Sequence, residues 1–565
     1  MYFNTTFLKK NSNSILVLSI LFFLTTIFFG VDFTDSFYHL SYAKSHYGDK
    51  INFFVVLSVY LVKFFSLFTS NYVIVYRFIG IMIIISTFIT PLFVLKKEDN
   101  DLKKLLAAFL LVIYSPFVFN ILGYDTFSAF FIVLTYTIFY KFYFTIGCDK
   151  RLVYVLSVLT AFSILCRFPN ILIILVLLFG IYLKQDLSFK TKINYIFQYL
   201  LLVGLTLVLF YYFNYGNIES LFESQAINKS HNLSKLLYNY INDFIIIILY
   251  VIIISLILFL LRIRHQFPDQ KTQVIFSIIV LSISYFLAKE FILFEAYSKD
   301  LALFYTAFCL VMTLISSVDL LFKENNMELL DRKKHYGQTL NRIRRTSSKI
   351  NVFLFSNEFA FFLVTASFFF INAIGSNTGL FKSSHGLPIL ILIFFTLNEK
   401  NKKLIFIFLI LLLPLSMFEH LKTYEDGLMY KTTSEVPVSK LNFIYTTPKR
   451  SNTINKVLKM TDSLKVKGYK IGYYGTRRHI FEYHTNEYLF DNASFKQTVN
   501  DSIKDMNTLI SADKMAVFIV ENYPSKYSKI KENSIFIKQL KSLKFNVMKK
   551  GKLIIALRNA AVLKN

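Results

Sequence analysis

The chain has 565 residues, of which 55% are hydrophobic, with 64 Phe, 36 Tyr and a formal net charge of +27. Apolar runs of about 17 to 25 residues recur along it, each able to cross a bilayer of roughly 30 Å, which excludes an ordinary water-soluble fold. The cations collect in short connections between these runs, where they orient a membrane protein. The charge therefore argues for an anionic lipid surface as partner and against nucleic acid.

The apolar runs predict a polytopic α-helical membrane protein with about thirteen transmembrane helices. The predicted spans are Ser14–Gly30, Tyr72–Leu95, Leu105–Leu122, Thr126–Tyr143, Leu152–Cys166, Asn170–Leu183, Ile196–Phe213, Phe244–Leu261, Thr272–Ala288, Leu301–Leu321, Val352–Ile374, Leu387–Leu397 and Leu404–Phe418.

One further apolar segment, Ile51–Phe68, is interrupted by Lys63. If it does not cross, the inside connections carry about 26 Lys and Arg against about nine outside, and if it crosses, this bias reverses. We therefore predict a helix lying in the outer membrane interface. This orientation puts the N-terminus in the cytosol, and it puts the first loop and the connections holding Asp125, Arg167 and His385 on the outer face.

The composition changes after Phe418 to that of a water-exposed region. Lys467–Tyr474 and Met515–Val520 are typical of buried strands, and Phe545–Leu557 predicts a hairpin that turns at Lys550 and Gly551. We divide the chain into a transmembrane domain, 1–418, and an extracytoplasmic α/β domain, 419–565, long enough to bury its own core.

The first loop places Asp32 and Asp35 directly beyond the first apolar run. Ionisable groups beside hydrocarbon are costly to hold, which favours a functional role. At a spacing of three residues, the two carboxylates share one face if the stretch is helical. The alternative is a solvated loop in which Asp35 caps the helix that follows.

The segment Asp35-Ser36-Phe37-Tyr38-His39, followed by Ala43, resembles the acidic first-loop motif of the GT-C superfamily of polyprenyl-phosphate-sugar-dependent membrane glycosyltransferases. The resemblance continues through the amphipathic segment Phe53–Phe68, Tyr76-Arg77-Phe78, Gly123-Tyr124-Asp125 and Arg167-Phe168-Pro169-Asn170. It covers roughly the first 185 residues, and the order of these short motifs carries it. Many members have a second acid directly after the first, where this chain has Ser36, so Asp35 and Asp32 both stay candidates for the catalytic base.

The resemblance implies a GT-C-like fold and sugar transfer with inversion at the outer face of a bacterial cytoplasmic membrane. The donor would be a polyprenyl-phosphate sugar, and the acceptor an envelope glycan, lipid or protein. Asp35 would take the acceptor proton as the lipid phosphate leaves, a contribution of about 10² to 10⁴ in rate. Asp125 matches the family's supporting acid, although it also fits a plain helix N-cap.

Cations on the predicted outer face are candidates for binding the leaving phosphate. They are Arg77, Arg167, Lys289, Lys299 and His385. Each is also explained as an interfacial anchor whose stem lies along lipid. The histidines lack metal-ligand spacing, so the sequence predicts no metal site while leaving a divalent cation open.

Two other classes of function compete with a glycosyltransferase. A transporter or flippase of a lipid-linked glycan would place binding groups near the midplane on broken, repeated helices, whereas the polar residues here gather at outer helix ends. An O-antigen polymerase or ligase would use a large late outer loop, whereas the longest outer connection between spans, Asn214–Asp243, has few cation-capable side chains.

Overall fold

The computed structural model describes residues 10–30, 40, 55–69, 72–95, 100–114, 122–145, 149–184, 186–214, 233–263, 299–332, 356–374, 379–423, 426–474, 479–485, 514–520, 530–550 and 553–559. Helices make up most of the described chain before residue 421, and short strands begin after it.

The α-helices before residue 421 are α1 (Ser12–Thr25), α2 (Val56–Thr69), α3 (Val73–Ile89), α4 (Asn100–Ile113), α5 (Tyr124–Phe144), α6 (Lys150–Cys166), α7 (Leu172–Leu183), α8 (Phe189–Asn214), α9 (Leu233–Ile263), α10 (Lys299–Arg332), α11 (Asn357–Ile371), α12 (Leu390–Thr396) and α13 (Glu399–His420). Turns of 3₁₀-helix extend several of them, at Thr26–Phe28, Thr90–Phe93, Phe168–Ile171 and Leu380–Ile389.

Among the described residues, five helices are long and apolar enough to cross a membrane. They lie at Val73–Phe93, Tyr124–Phe144, Phe189–Phe213, Leu236–Arg262 and Leu301–Leu321. Shorter apolar helices coincide with further predicted spans, including Ser12–Phe28 and Asn357–Ile371. The chain is thus a helical membrane protein, while thirteen spans stay a prediction, and the span predicted at Thr272–Ala288 lies outside the described residues.

The segment predicted to lie in the interface forms α2, a helix of 14 residues. At 1.5 Å per residue these 14 residues rise about 21 Å, and residues 51–54 before them lie outside the described ranges. The Ser58 hydroxyl of α2 donates to the Cys166 carbonyl at the end of α6 (3.5 Å). This contact places α2 beside the Arg167 connection.

Exposed apolar side chains cover one side of α8 and α9. Phe197, Val208, Ile252 and Phe259 are each more than half exposed. Apolar surface of this extent is expected where a helix faces lipid.

The region after residue 420 is built on a four-stranded mixed sheet in the order β5-β6-β8-β7. The strands are β1 (Lys422–Thr423), β2 (Gly427–Leu428), β3 (Ser434–Glu435), β4 (Tyr445–Thr446), β5 (Lys470–Tyr474), β6 (Lys514–Val520), β7 (Asn546–Lys550) and β8 (Leu553–Asn559), and the helices are α14 (Pro448–Val466), α15 (His479–Thr485) and α16 (Ile530–Ser542). β5 and β6 pair in parallel, and β7 and β8 form the predicted antiparallel hairpin.

One buried apolar cluster joins the C-terminal region to the membrane helices. It contains Val56, Val73 and Leu165 from the helical part, together with Ile444 and Tyr473 from the C-terminal region. Burial of apolar side chains against each other fixes the position of both parts. The C-terminal region therefore packs directly on the helix ends near the first loop.

Candidate functional site

Asp125 lies in the first turn of α5, directly after Gly123 in extended conformation and Tyr124. An acidic side chain is favoured at this end of a helix by the unpaired backbone N–H groups. The carboxylate of Asp125 is only 14% exposed. It is therefore a buried anion that needs cationic or hydrogen-bonding partners.

Two cations from different connections approach this carboxylate. Lys382 Nζ lies 2.6 Å from Asp125 Oδ2, and Arg167 Nε lies 3.9 Å from Asp125 Oδ1. Lys382 belongs to the 3₁₀-helix Leu380–Ile389, and its ammonium also lies over the Tyr124 ring (5.4 Å). These contacts bring together three connections that the sequence predicts on one face.

Arg167 is held by a second contact behind the ion pair. It stands in extended conformation between α6 and the next 3₁₀-turn, and its guanidinium donates to the Asn372 carbonyl just after α11. A guanidinium presents several donors in one plane, so it can bind a carbonyl and a carboxylate together. Arg167 thus links the ends of α5 and α11.

His385 follows Lys382 by one turn of the same 3₁₀-helix, so the two side chains lie on one face. Its Nδ1 shares a hydrogen bond with the Tyr114 hydroxyl at the end of α4 (2.7 Å). The two rings, with Thr87, Thr126 and apolar neighbours, line a small cavity. Its size suits about one water molecule.

A chain of buried amides and a hydroxyl lies one turn further along α5. Asn170 Nδ2 donates to Ser128 Oγ (2.9 Å), which donates to Asn372 Oδ1 (2.8 Å). Within the part of the chain that the structure describes, Asn170 Oδ1 and Asn372 Nδ2 are buried and have no hydrogen-bond partner. A buried acceptor and a buried donor without a hydrogen bond lower the stability of the fold. A ligand with polar groups can form hydrogen bonds with both at this end of the cluster.

Arg77 in α3 binds the backbone directly before the first loop. Its guanidinium donates to the carbonyls of Ile27 (2.9 Å), Phe29 (3.3 Å) and Gly30 (2.6 Å). These carbonyls end the first apolar run, where helical partners are no longer available. Arg77 therefore fixes the backbone from which the acidic loop departs.

The C-terminal region contacts the same point of the chain. Gly30 N–H donates to the Tyr445 carbonyl (2.9 Å), and Phe29 forms an isolated parallel bridge with Tyr445. Gly30 has φ of +80°, and a β-carbon there would lie 2.8 Å from Thr423 Cβ. A glycine is required because both the dihedral angle and the close approach exclude a side chain.

The structure thus brings Asp125, Arg167 and His385 into one cluster and places Arg77 at the base of the first loop. Lys299 lies at the start of α10 and pairs with Asp243 (2.6 Å). Asp32, Asp35 and Lys289 lie outside the described residues, so their approach to this cluster stays a prediction. Within the described ranges, no three metal-ligating side chains come together.

Sequence reasoning missed Lys382, Tyr114 and Asn372. Lys382 had a usable signal, because it lies three residues before His385 in the same outer connection. Tyr114 lies within the apolar run Leu105–Leu122 and Asn372 near the end of the run Val352–Ile374, where an isolated polar residue carries little information. Comparison with protein-family models, curated proteins and solved structures finds no match to the chain.

Proposed function

We propose that the chain is an integral-membrane glycosyltransferase of GT-C type that works at the outer face of a bacterial cytoplasmic membrane. It transfers a sugar from a polyprenyl-phosphate carrier to a cell-envelope acceptor. The observation that carries this proposal is the convergence of Lys382 and Arg167 on Asp125 at the end of the helical bundle that also holds the first loop.

The charge of this cluster suits an anionic ligand. Among the described residues, the Asp125 carboxylate faces two cationic side chains, Lys382 and Arg167, in a mostly buried site. Coulombic attraction between a phosphate and such a site is stronger than in water because the surroundings screen it less. Lys382 and Arg167 are therefore proposed to bind the phosphate of the donor, with Asp125 holding both in place.

The first loop supplies the base in this proposal. The acceptor hydroxyl or amine attacks the anomeric carbon and loses its proton to Asp35, while the bond from that carbon to the phosphate oxygen breaks. Polyprenyl phosphate leaves with the electron pair, and the configuration inverts. Asp32 is the alternative base.

The contacts of Arg77 and Tyr445 support this arrangement, because each holds backbone atoms directly before the loop. Catalytic groups need geometry fixed to a fraction of an ångström. The C-terminal region is proposed to hold that loop in place and to present the acceptor above it.

The test is transfer of labelled sugar from polyprenyl phosphate by the purified protein in detergent. Asp35→Asn is expected to lower the rate by about 10² to 10⁴, with Asp32→Asn closer to wild type. Both variants keep the shape of the side chain while removing the base. Undiminished transfer in both would exclude a first-loop base.

The same purified protein distinguishes a glycosyltransferase from a transporter. Reconstituted in vesicles, a transporter would move a lipid-linked glycan across the membrane without making a covalent product. Transport without any labelled product would replace the glycosyltransferase proposal.

A further inference from the structure

Asp243 in α9 is a second buried carboxylate bound to the 3₁₀-helix that carries Lys382 and His385. Its side chain is only 3% exposed. Asp243 Oδ2 accepts the Leu380 N–H (2.7 Å), the first backbone donor of that 3₁₀-helix, and Asp243 Oδ1 lies 2.6 Å from Lys299 Nζ. A backbone N–H at a helix start has no partner within the helix, so the carboxylate satisfies it.

Gly379 shows how closely the chain passes this carboxylate. Its φ is +85°, and a β-carbon at this position would collide with Asp243 Oδ2. Only glycine tolerates both the dihedral angle and the approach without strain. The position of the 3₁₀-helix start is thus set by Asp243.

The 3₁₀-helix needs such external support. It spans ten residues, Leu380–Ile389, whereas 3₁₀ runs beyond three or four residues are uncommon because their hydrogen bonds are poorly aligned. Described contacts hold it at its start through Asp243, at Lys382 through Asp125, and at Ser383 through the Thr306 hydroxyl (2.6 Å). At about 2.0 Å per residue, Lys382 lies only about 4 Å along the axis from the Asp243 contact.

We propose that Asp243 is a positioning residue that places Lys382 and His385 against Asp125 through its hydrogen bond from Leu380. The role in sugar transfer rests on the proposed function, whereas the placement of Lys382 does not. Lys299 supports Asp243 by neutralising its charge. Asp243 touches no substrate in this proposal.

Asp319 offers a matched control at another helix start. Its carboxylate accepts the Asn398 N–H (2.9 Å) just before α13, in the same way as Asp243 accepts from Leu380. The segment that it caps carries none of the candidate site residues. Asp319 is half-buried and also accepts from the side-chain amides of Asn398 and Asn401. Loss of either cap removes a bond to a backbone N–H, but only loss of Asp243 should disturb Lys382.

The first readout is chemical labelling of lysine amines by acetic anhydride in the purified full-length protein, quantified at each lysine by mass spectrometry. Asp243→Ala is expected to raise the labelling rate of Lys382 several-fold, because an ammonium held in an ion pair reacts slowly. Asp319→Ala should leave it unchanged, and the buried Lys184 serves as reference in both. Asp243→Asn, which keeps an oxygen acceptor for Leu380, should restore slow labelling.

The second readout is sugar transfer, separated by substrate. Asp243→Ala should raise the KM for the polyprenyl-phosphate donor about ten-fold and leave the KM for the acceptor unchanged. Lys299→Met, which keeps the bond to Leu380, should show a smaller change. Asp319→Ala should match wild type in both constants.

Unchanged Lys382 labelling in folded Asp243→Ala, or an equal rise in Asp319→Ala, would overturn the positioning role. Asp243→Ser replaces the alanine variant if that chain does not fold. The two proposals can also fail separately. If Lys382 labelling changes as expected but the wild-type protein transfers no sugar, Asp243 still positions Lys382 and only the glycosyltransferase proposal is rejected.

Discussion

Asp125 in the helical part and Asp426 in the C-terminal region are both buried carboxylates paired with an arginine, but their surroundings differ. Asp426 accepts from the Thr446 hydroxyl at both oxygens (2.9 Å each) and from Arg450 Nη1 (2.9 Å), all within one small region. Asp125 pairs with Lys382, which lies 257 residues further along the chain, and with Arg167, which lies in a third connection. The first arrangement joins neighbours, whereas the second joins distant helix ends.

The difference extends to the balance of charge. Asp426 pairs with Arg450 and also accepts from the Thr446 hydroxyl, the kind of additional hydrogen bond that a stable buried ion pair requires. Around Asp125, the described residues place two cations on one carboxylate, and within the same ranges the amides of Asn170 and Asn372 keep an open acceptor and an open donor. Surplus charge and open hydrogen-bonding groups cost stability, and such costs gather at functional sites.

Between these two carboxylates, the larger expected effect on sugar transfer is that of Asp125→Asn. Without the anion, Lys382 and Arg167 lose the group that aligns them, and a misplacement of about 1 Å costs roughly 10²-fold in rate. Initial rates of transfer, normalised to the folded fraction, measure this loss.

Asp426→Asn is the matched control. It should lower the free energy of unfolding by about 3 to 5 kcal/mol, because it leaves Arg450 buried without its full counter-charge. The transfer rate per folded molecule should fall far less than in Asp125→Asn, because the described contacts of Asp426 reach the first loop indirectly, through Thr446 and the neighbouring Tyr445. If the two variants affected transfer equally, the distinction between a functional and a structural carboxylate would be wrong.

A smaller effect is expected where the C-terminal region meets the first loop. Gly30→Ala places a β-carbon against Thr423 at φ +80° and should cost about 1 to 3 kcal/mol of stability. It should also lower the transfer rate, because the acidic loop starts at the next residue. Thermal unfolding and transfer rates measure the two effects.

Gly468→Ala controls for backbone strain alone. Gly468 has the same φ of +80°, but no atom of the described residues lies within 4 Å of the position of a β-carbon. This variant should show a smaller loss of stability and unchanged transfer. Equal effects of the two substitutions would remove the proposed link between the C-terminal region and the loop.

Local pattern was enough to predict much of the fold. The apolar runs predict helices such as α5, α6 and α10. Alternation of apolar and polar residues around a turn predicts the hairpin of β7 and β8. These features depend on neighbours in sequence, so periodicity reports them. The number of spans depends on tilt and on short helices, which apolar length alone does not settle.

The candidate site was predictable only in part. The sequence indicates Asp125, Arg167 and His385 as outer-face polar residues, but the pairing of Asp125 with Lys382 depends on how distant connections pack. Arg77 stays a candidate for binding phosphate, and packing gives it described hydrogen bonds to backbone carbonyls that the sequence does not predict. The side-chain type limits what a residue can bind, and tertiary packing decides what it does bind.

The smallest expected effect concerns pH and the C-terminal region. Burial, and then the nearby Lys440 ammonium, lower the pKa of His484 from its ordinary value of 6.5. As the pH falls through 6.5, the unfolded chain takes up the proton before the folded chain does, so this contribution to stability is present at higher pH and is lost on acidification. Thermal unfolding of the full-length protein between about pH 7.5 and 5.5 should show a falling midpoint.

His484→Gln removes the titrating group and should flatten this slope, while transfer rates per folded molecule keep the pH profile of wild type. The reason is that His484 lies in α15, where Lys440 Nζ donates to the carbonyls of Tyr483 (3.1 Å) and His484 (3.3 Å) and not to any group of the Asp125 cluster. A change in the transfer profile would mean that the C-terminal region transmits protonation to the helical part, and the two regions would then have to be treated as one electrostatic unit.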